Sequence, residues 1–303
     1  MHAPTSRTES FTSAGLQCAA DVWLPAGESP APAIVMAHGF GSPRKLRLPA
    51  YAERLAAAGY VVVVFDYRYF GDSAGEPRQL LDIKAQLDDW RAALRFARGL
   101  DRVDPARIVA WGTSFAGGHV LTIAASGEPL AAVIAQVPHV SGPAAVRSTG
   151  LRQAARLLPT AVLDQLGALV GRPPRYLESV GTPGERAVMT SPDAAPALER
   201  LTAASGLVDG DYPQTVVARV LTTLPFYSPG RRAGAITCPV LFQLATEDAI
   251  TPTGVAQRAA RRIPHVTIHS YPGGHFDPYV PPLFEPVIAD QLAFLAEAVP
   301  VTA

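Results

Sequence analysis

The sequence predicts an α/β protein with a mostly parallel eight-stranded sheet, helices on both faces and a helical insertion after the sixth strand. Three observations carry this reading. Short apolar runs recur at 33–37, 60–65, 107–111, 131–137, 239–245 and 265–271. Helical patterns separate most of them, at 48–58, 81–99, 115–126, 253–263 and 283–298. The alternation fails only between 139 and 232. Apolar runs of this length are strands buried on both faces, and strand–helix alternation builds βαβ units and a parallel sheet.

The remaining two strands come first. Residues 5–24 hold two extended stretches around Gly15 and read as an antiparallel hairpin at a sheet edge. A turn-rich loop, 25–32, leads into the parallel runs. The insertion contains helix-like pieces at 150–158 and 160–170, broken by Pro159, Pro173, Pro174, Pro183, Pro192, Pro196 and Pro213, and no convincing apolar strand. The expected organisation is a core of residues 1–138 and 233–303 with a helical cap, or lid, of residues 139–232. The cap leaves from the carboxyl end of the sheet, where open α/β folds bind ligands.

Composition narrows the possibilities. At 303 residues, 48% hydrophobic and only 17% charged, the chain buries a large core and is not disordered. Net charge is zero, which excludes the basic balance of a nucleic-acid binder. Cys18 and Cys238 lie far apart and outside any Cys/His cluster, so no disulfide framework or metal site is expected; both read as small buried hydrophobes. Residues 1–13 are polar, with no apolar stretch long enough for a signal peptide, and no run has membrane-spanning length. The expectation is a reduced, cytoplasmic protein without a membrane span.

The strongest local pattern is Ile108-Val109-Ala110-Trp111-Gly112-Thr113-Ser114-Phe115-Ala116-Gly117-Gly118. A buried strand runs into a tight turn and a helix follows at once. A serine on such a turn exposes its hydroxyl above the sheet, with a helix N-terminus beneath it. Small residues must flank it because strand and helix backbones approach closely. Gly112 meets that need, and Ala116 stands where a second glycine is usual. Ser114 is therefore the candidate nucleophile.

In folds of this kind an acid and then a base follow the serine. The loop 246–252 after the run 239–245 offers Asp248, with Glu247 as fallback. The loop after the last run, Pro272-Gly273-Gly274-His275-Phe276, offers His275 as base; two glycines let the backbone turn and aim the imidazole over the sheet. An oxyanion hole needs two backbone N–H groups. Phe115, after the serine, supplies one, and Phe40, in His38-Gly39-Phe40-Gly41, supplies the other. His38 reads as a residue that holds this loop.

The set His38-Gly39-Phe40-Gly41, Asp66-Tyr67-Arg68-Tyr69-Phe70-Gly71-Asp72-Ser73, Gly112-Thr113-Ser114, Asp248 and Gly274-His275 resembles the α/β-hydrolase superfamily along essentially the whole chain. More narrowly, Phe115-Ala116-Gly117-Gly118 and Gly75-Glu76-Pro77-Arg78-Gln79 resemble a bacterial branch near the dienelactone-hydrolase-like and S15-peptidase-like proteins. That branch is similar to the fungal polyketide transferase, or thiohydrolase, group. The last resemblance implies acyl or polyketide thioesters as a substrate class. Dienelactone hydrolases proper are expected to use cysteine where this chain has Ser114.

The expected function is cleavage of an ester or thioester of a mainly hydrophobic acyl substrate, small or linked to a carrier or CoA, with no cofactor and no metal. Acyl transfer or cyclisation with the same triad is the alternative within enzymes; ligand binding without catalysis is the alternative outside them. A homodimer is compatible with the sequence. Expected substrate contacts are His139, at the start of the cap, with Phe40, Tyr69, Phe70, Leu224, Phe226 and Tyr227 as apolar walls. Asp66 and Arg68 read as a buried ion pair or loop brace. Asp88 and Asp89 read as a solvated helix face, Arg44, Lys45 and Arg47 as a solvated edge, and His119 as packed.

Overall fold

The computed structural model describes residues 4–301; residues 1–3 and 302–303, the two ends of the expected core, lie outside the described residues. Strands β1 (Thr5–Ser13) and β2 (Leu16–Leu24) pair antiparallel, turning at Gly15 with φ of 83°. The chain continues through β3 (Ala31–Ala37), α1 (Leu48–Ala57), β4 (Val61–Phe65), α2 (Ile83–Arg98), β5 (Val103–Thr113), α3 (Phe115–Ala125) and β6 (Ala132–Gln136). After the interval 137–239 come β10 (Val240–Ala245), α8 (Thr253–Ala260), β11 (Val266–Tyr271) and α9 (Phe284–Ala298). The main sheet has eight strands in the order β1-β2-β4-β3-β5-β6-β10-β11, parallel from β4 onward. The expected fold class holds, as does the departure of the insertion after the sixth strand.

Alternation along each strand divides the core between the two faces. Val35, Val63, Phe65, Ala110 and Phe242 pack with α2, α3 and α8; Met36, Val62, Val64, Trp111 and Leu241 pack with α1 and α9. The runs that become β3, β4, β6 and β10 are therefore strands buried on both sides, whereas β11, at the sheet edge, buries only Tyr271.

The interval corrects the sequence reading. It contains helices α4 (Gly142–Thr149), α5 (Leu151–Leu169), α6 (Ala194–Ala204) and α7 (Val220–Thr223), but also β7 (Tyr176–Val180), β8 (Ala187–Met189) and β9 (Thr215–Val217). These strands form a small mixed sheet, β8-β7-β9. The insertion is thus not purely helical. Two of its strands have three residues each, too short for period-two alternation to register against the surrounding breakers.

Two buried side chains pin this sheet. Asp164 on α5 accepts from the Arg175 and Arg219 backbone N–H groups at 2.8 and 3.0 Å and from Arg219 Nε at 2.8 Å. The Gln79 side-chain amide donates to the Pro213 and Thr215 carbonyls at 3.0 Å, and its backbone carbonyl accepts the Val217 N–H at 2.9 Å. The 75–79 segment therefore anchors the edge strand β9. Among the described residues no helix is long and apolar enough to cross a membrane.

Candidate active site

β3 and β5 are neighbours in register, with Ala37 opposite Gly112, so the loops at their carboxyl ends start side by side. The strand order reverses here, the place where open α/β sheets keep their ligand crevice.

Ser114 joins β5 to α3 directly. Its φ of 54° and ψ of −117° are strained for a residue with a side chain. Neighbours hold it there: Ser114 N–H donates to the Gln136 carbonyl at 2.9 Å, and its own carbonyl accepts the His139 N–H at 2.8 Å. A Cβ at Gly112 would run into the Ala116 backbone. The first small position is thus obligatory, while Ala116 shows that the second accepts a methyl.

His275 Nε2 lies 2.9 Å from Ser114 Oγ, and its Nδ1 lies 2.7 Å from Asp248 Oδ2. All three side chains are buried. The carboxylate is held by N–H groups of Ile250 (2.9 Å) and Thr251 (2.6 Å) on Oδ1 and by Thr251 Oγ1 (2.7 Å) on Oδ2. Glu247 is exposed; its N–H donates to the Gly273 carbonyl at 2.9 Å and ties the acid loop to the histidine loop. Asp277 accepts the Gly274 N–H at 2.8 Å and braces the same turn.

The loop after β3 presses on the serine. A Cβ at Gly39 would stand 2.8 Å from Ser114 Cβ, so only glycine fits. The Phe40 and Phe115 rings meet edge to face at 5.8 Å, and Phe115 N–H, first in α3, belongs to the helix-start donors without an intrahelical acceptor. His38 Nδ1 accepts the Gly39 N–H at 2.7 Å and its ring stacks on Tyr279 at 5.8 Å. Burial lowers its pKa to about 3, so it stays neutral.

Beneath the elbow runs a buried polar layer that the sequence did not reveal. Gln291 on α9 accepts from Trp111 Nε1 (3.0 Å) and donates to Gln136 (3.1 Å) and Gln243 (2.8 Å). Thr113 bonds Gln136 and Tyr279. The layer links β5, β6 and β10 to α9.

The cavity at Ser114 is walled by core residues Phe40, Phe276 and Tyr279 and, from the insertion, by Ser179, Val180, Met189, Leu198 and Tyr212. Its enclosed volume is about 20 Å³, room for about one water molecule. Of the expected apolar walls Phe40 lines this cavity, and His139, Tyr69, Phe70, Leu224, Phe226 and Tyr227 do not. Phe70 is buried in the core and Tyr69 packs against it; Phe226 is 83% exposed. His139 packs against the Phe115 ring, stacks on Tyr227 at 5.8 Å and bonds the Tyr227 carbonyl at 3.1 Å. The insertion's share of the cavity lining comes mainly from β7, β8 and α6, which carried no readable signal.

Three charge expectations also change. Arg44 is buried and pairs with Asp21, Asp66 and Asp72. Arg47 donates to the Tyr279 carbonyl at 2.7 Å and lies over Phe284. Asp89 is fully buried and pairs with Arg68 at 2.7 Å. Asp66 and Arg68 each form a buried ion pair, but with different partners.

Sheet order, serine turn and the loops around it define an enzyme of the α/β-hydrolase class. The model of the X-Pro dipeptidyl-peptidase (S15) family matches residues 14–275, and the chain belongs to that family. It is 43% identical over 291 residues to the quorum-quenching protein AidA of Acinetobacter baumannii, covering 96% of this chain and 94% of that one. The thiohydrolase aneE of Aspergillus aculeatus is 35% identical over 133 residues, 44% of this chain and 41% of its own. The polyketide transferase grgF of a Penicillium species is 31% identical over 182 residues, 59% and 60% of the two chains. The crystal structure of the α/β hydrolase GrgF from Penicillium sp. sh18 superimposes with a TM-score of 0.80 at 23% identity, covering 97% of this chain and 99% of that one.

Proposed function

We propose that this enzyme is a serine hydrolase that cleaves an ester or thioester of a hydrophobic acyl substrate. The observation that carries the reading is the continuous hydrogen-bonded chain Ser114 Oγ–His275–Asp248. His275 takes the Ser114 proton as Oγ attacks the acyl carbonyl, and Asp248 orients the imidazole and stabilises its charged form. The Phe40 and Phe115 N–H groups receive the developing oxyanion. His275 then returns the proton to the leaving alcohol or thiol, and water, activated by the same histidine, releases the acid.

Residues 139–232 act as the cap in this reading. With room for about one water molecule beside Ser114, strands β7 and β8 and helix α6 must shift to admit an acyl group. The largely apolar wall of Val180, Met189, Leu198 and Phe276 favours a hydrophobic one. The thiohydrolase and polyketide transferase names among the relatives support an acyl thioester. Quorum quenching by AidA supports a diffusible signal that contains an ester. Among the described residues no carboxylate lines the cavity at Ser114.

The test is Ser114→Ala assayed on p-nitrophenyl esters and acyl thioesters, with fluorophosphonate labelling of the wild-type chain. Loss of turnover in the variant and labelling at Ser114 are expected. Wild-type rates in the variant would remove Ser114 from the chemistry, and no labelling would favour a binding protein. Mass spectrometry of the products separates hydrolysis from transfer to an alcohol or amine, the reading that grgF favours.

A further inference from the structure

The outer face of α5 is apolar and uncovered. Leu151, Leu158, Val162, Leu163, Leu166, Leu169 and the following Val170 each expose between 40% and 75% of their surface. This helix buries its opposite side through Leu157, Ala161 and Asp164, so the outward face is a second apolar stripe. Soluble monomers rarely leave so large a contiguous patch open. Beside the stripe lies an apolar groove of about 330 Å³ lined by Val146, Thr149, Ala155, Leu158, Leu221 and Pro225.

We propose that α5 is the contact surface of a two-fold homodimer in which the α5 helices of two copies pack antiparallel. The stripe is nearly its own mirror along the helix. With the axis passing near residue 160, Leu151 faces Leu169 of the partner subunit, Leu158 faces Val162 of the partner subunit, and Ala155 faces Leu166 of the partner subunit to within one residue. A two-fold contact requires this self-complementarity.

Charge selects the same arrangement. The exposed charges on α5 are Arg152 and Arg156; its carboxylate, Asp164, is buried against Arg219. Parallel packing would bring Arg152 beside its own copy. Antiparallel packing sets the two Arg152 side chains about 24 Å apart along the helices at ~1.5 Å per residue, beyond the ~8 Å screening length. It also places each Arg152 at the carboxyl-terminal turn of the partner helix, where a cation is favoured. A lipid surface fits less well. Interfacial helices carry a strongly basic polar face and aromatic anchors, whereas α5 has two arginines and no lysine or aromatic residue. The paired helices alone fall short of the roughly 800 Å² per partner of a standard interface, and the adjoining groove widens the contact.

The dimer does not depend on the proposed chemistry. Light scattering after gel filtration of the full chain should give twice the monomer mass at micromolar concentration, and Val162→Glu should give the monomer mass with an unchanged circular-dichroism spectrum. Should that variant unfold, a second measurement decides. Equal amounts of Leu158→Cys and Val162→Cys chains are mixed and oxidised. Cross-linking between the two variants, exceeding that within either one, supports antiparallel pairing. Leu158→Cys homodimers as the main product would overturn it, as would a monomeric wild type, a Val162→Glu dimer, or cosedimentation of a monomeric wild type with phosphatidylglycerol vesicles.

Discussion

Tyr227 Oη lies 2.7 Å from His119 Nδ1 and so fastens the end of the insertion to the helix that starts at Ser114. The same hydroxyl bonds Thr122 Oγ1 at 2.9 Å, and His119 Nε2 bonds Gln86 at 2.9 Å. Tyr227→Phe keeps the ring against Phe115 and His139 but leaves a buried nitrogen without its partner. A loss of about 1–3 kcal/mol in unfolding free energy is expected, read by urea denaturation. A variant as stable as wild type would mean that this hydroxyl fastens nothing.

Burial of His119 sets a pH dependence. Its folded pKa is lowered to about 3 from 6.5, chiefly by desolvation. Below pH 6.5 the unfolded chain binds a proton that the folded chain refuses, so its contribution to stability is complete above about 6.5 and is lost as pH falls toward 3. Each such histidine adds a slope of at most about 1.4 kcal/mol per pH unit, and His139, lowered to about 4, acts in the same direction. His119→Gln should unfold more easily at pH 7 yet lose stability less steeply between pH 6 and 4.5. Parallel stability curves for variant and wild type would show that His119 titrates normally.

Asp248 and Glu247 are adjacent, and only Asp248 reaches His275. Asp248→Asn should lower kcat by about 10⁴-fold with the fold retained, while Glu247→Gln should leave kcat within about twofold of wild type, since an exposed carboxylate is screened from the site. Equal losses in the two variants would contradict the geometry.

The serine turn makes a one-methyl prediction. Gly112→Ala drives a Cβ into the Ala116 backbone and should unfold the turn, giving insoluble or inactive protein. Ala116→Gly restores the commoner small residue, and the only expected effect is a helix cost below about 1 kcal/mol, measured by thermal melting. A well-folded, fully active Gly112→Ala chain would show that the elbow has slack.

How much of this was legible in the sequence depends on how far each feature reaches along the chain. β3, β4, β6, β10 and the second half of β5 are continuous apolar runs, as buried parallel strands must be, and β11 is marked by its place after the last loop and helix rather than by an apolar run. Ser114, His275 and Asp248 each sit in a loop bounded by one of these strands, so their places followed from the strands. Phe40 followed from β3 in the same way. The insertion has no such frame: β8 and β9 have three residues each, and side chains from other segments hold them, Gln153 at the Ala187 carbonyl of β8 and Gln79 at the Thr215 carbonyl of β9. For that reason nothing in the sequence marks Ser179, Met189, Leu198 and Tyr212, and topology alone, which puts Tyr69 and Phe70 at a strand end and Phe226 at the end of the insertion, does not say which way their side chains turn. The burial of Arg44 and Asp89 was hidden for a related reason, because a charge is buried only when its partner arrives from another strand or helix.

In the proposed reaction Met189 tests whether the insertion limits the length of the acyl group. It is half-buried on β8 and faces the cavity beside Ser114, while its neighbour Val188 faces the apolar groove on the other side of the strand. Shortening residue 189 therefore enlarges the space at the serine. Met189→Ala should raise the ratio of kcat/KM for an octanoyl over an acetyl p-nitrophenyl ester by on the order of tenfold, the discrimination carried by one or two methylene groups in an apolar pocket. The acetyl ester should lose little, because Ser114, His275 and the loop at Phe40 are untouched. If both esters fall together, Met189 supports the position of β8; if neither rate changes, the acyl chain takes a route that does not pass this side chain.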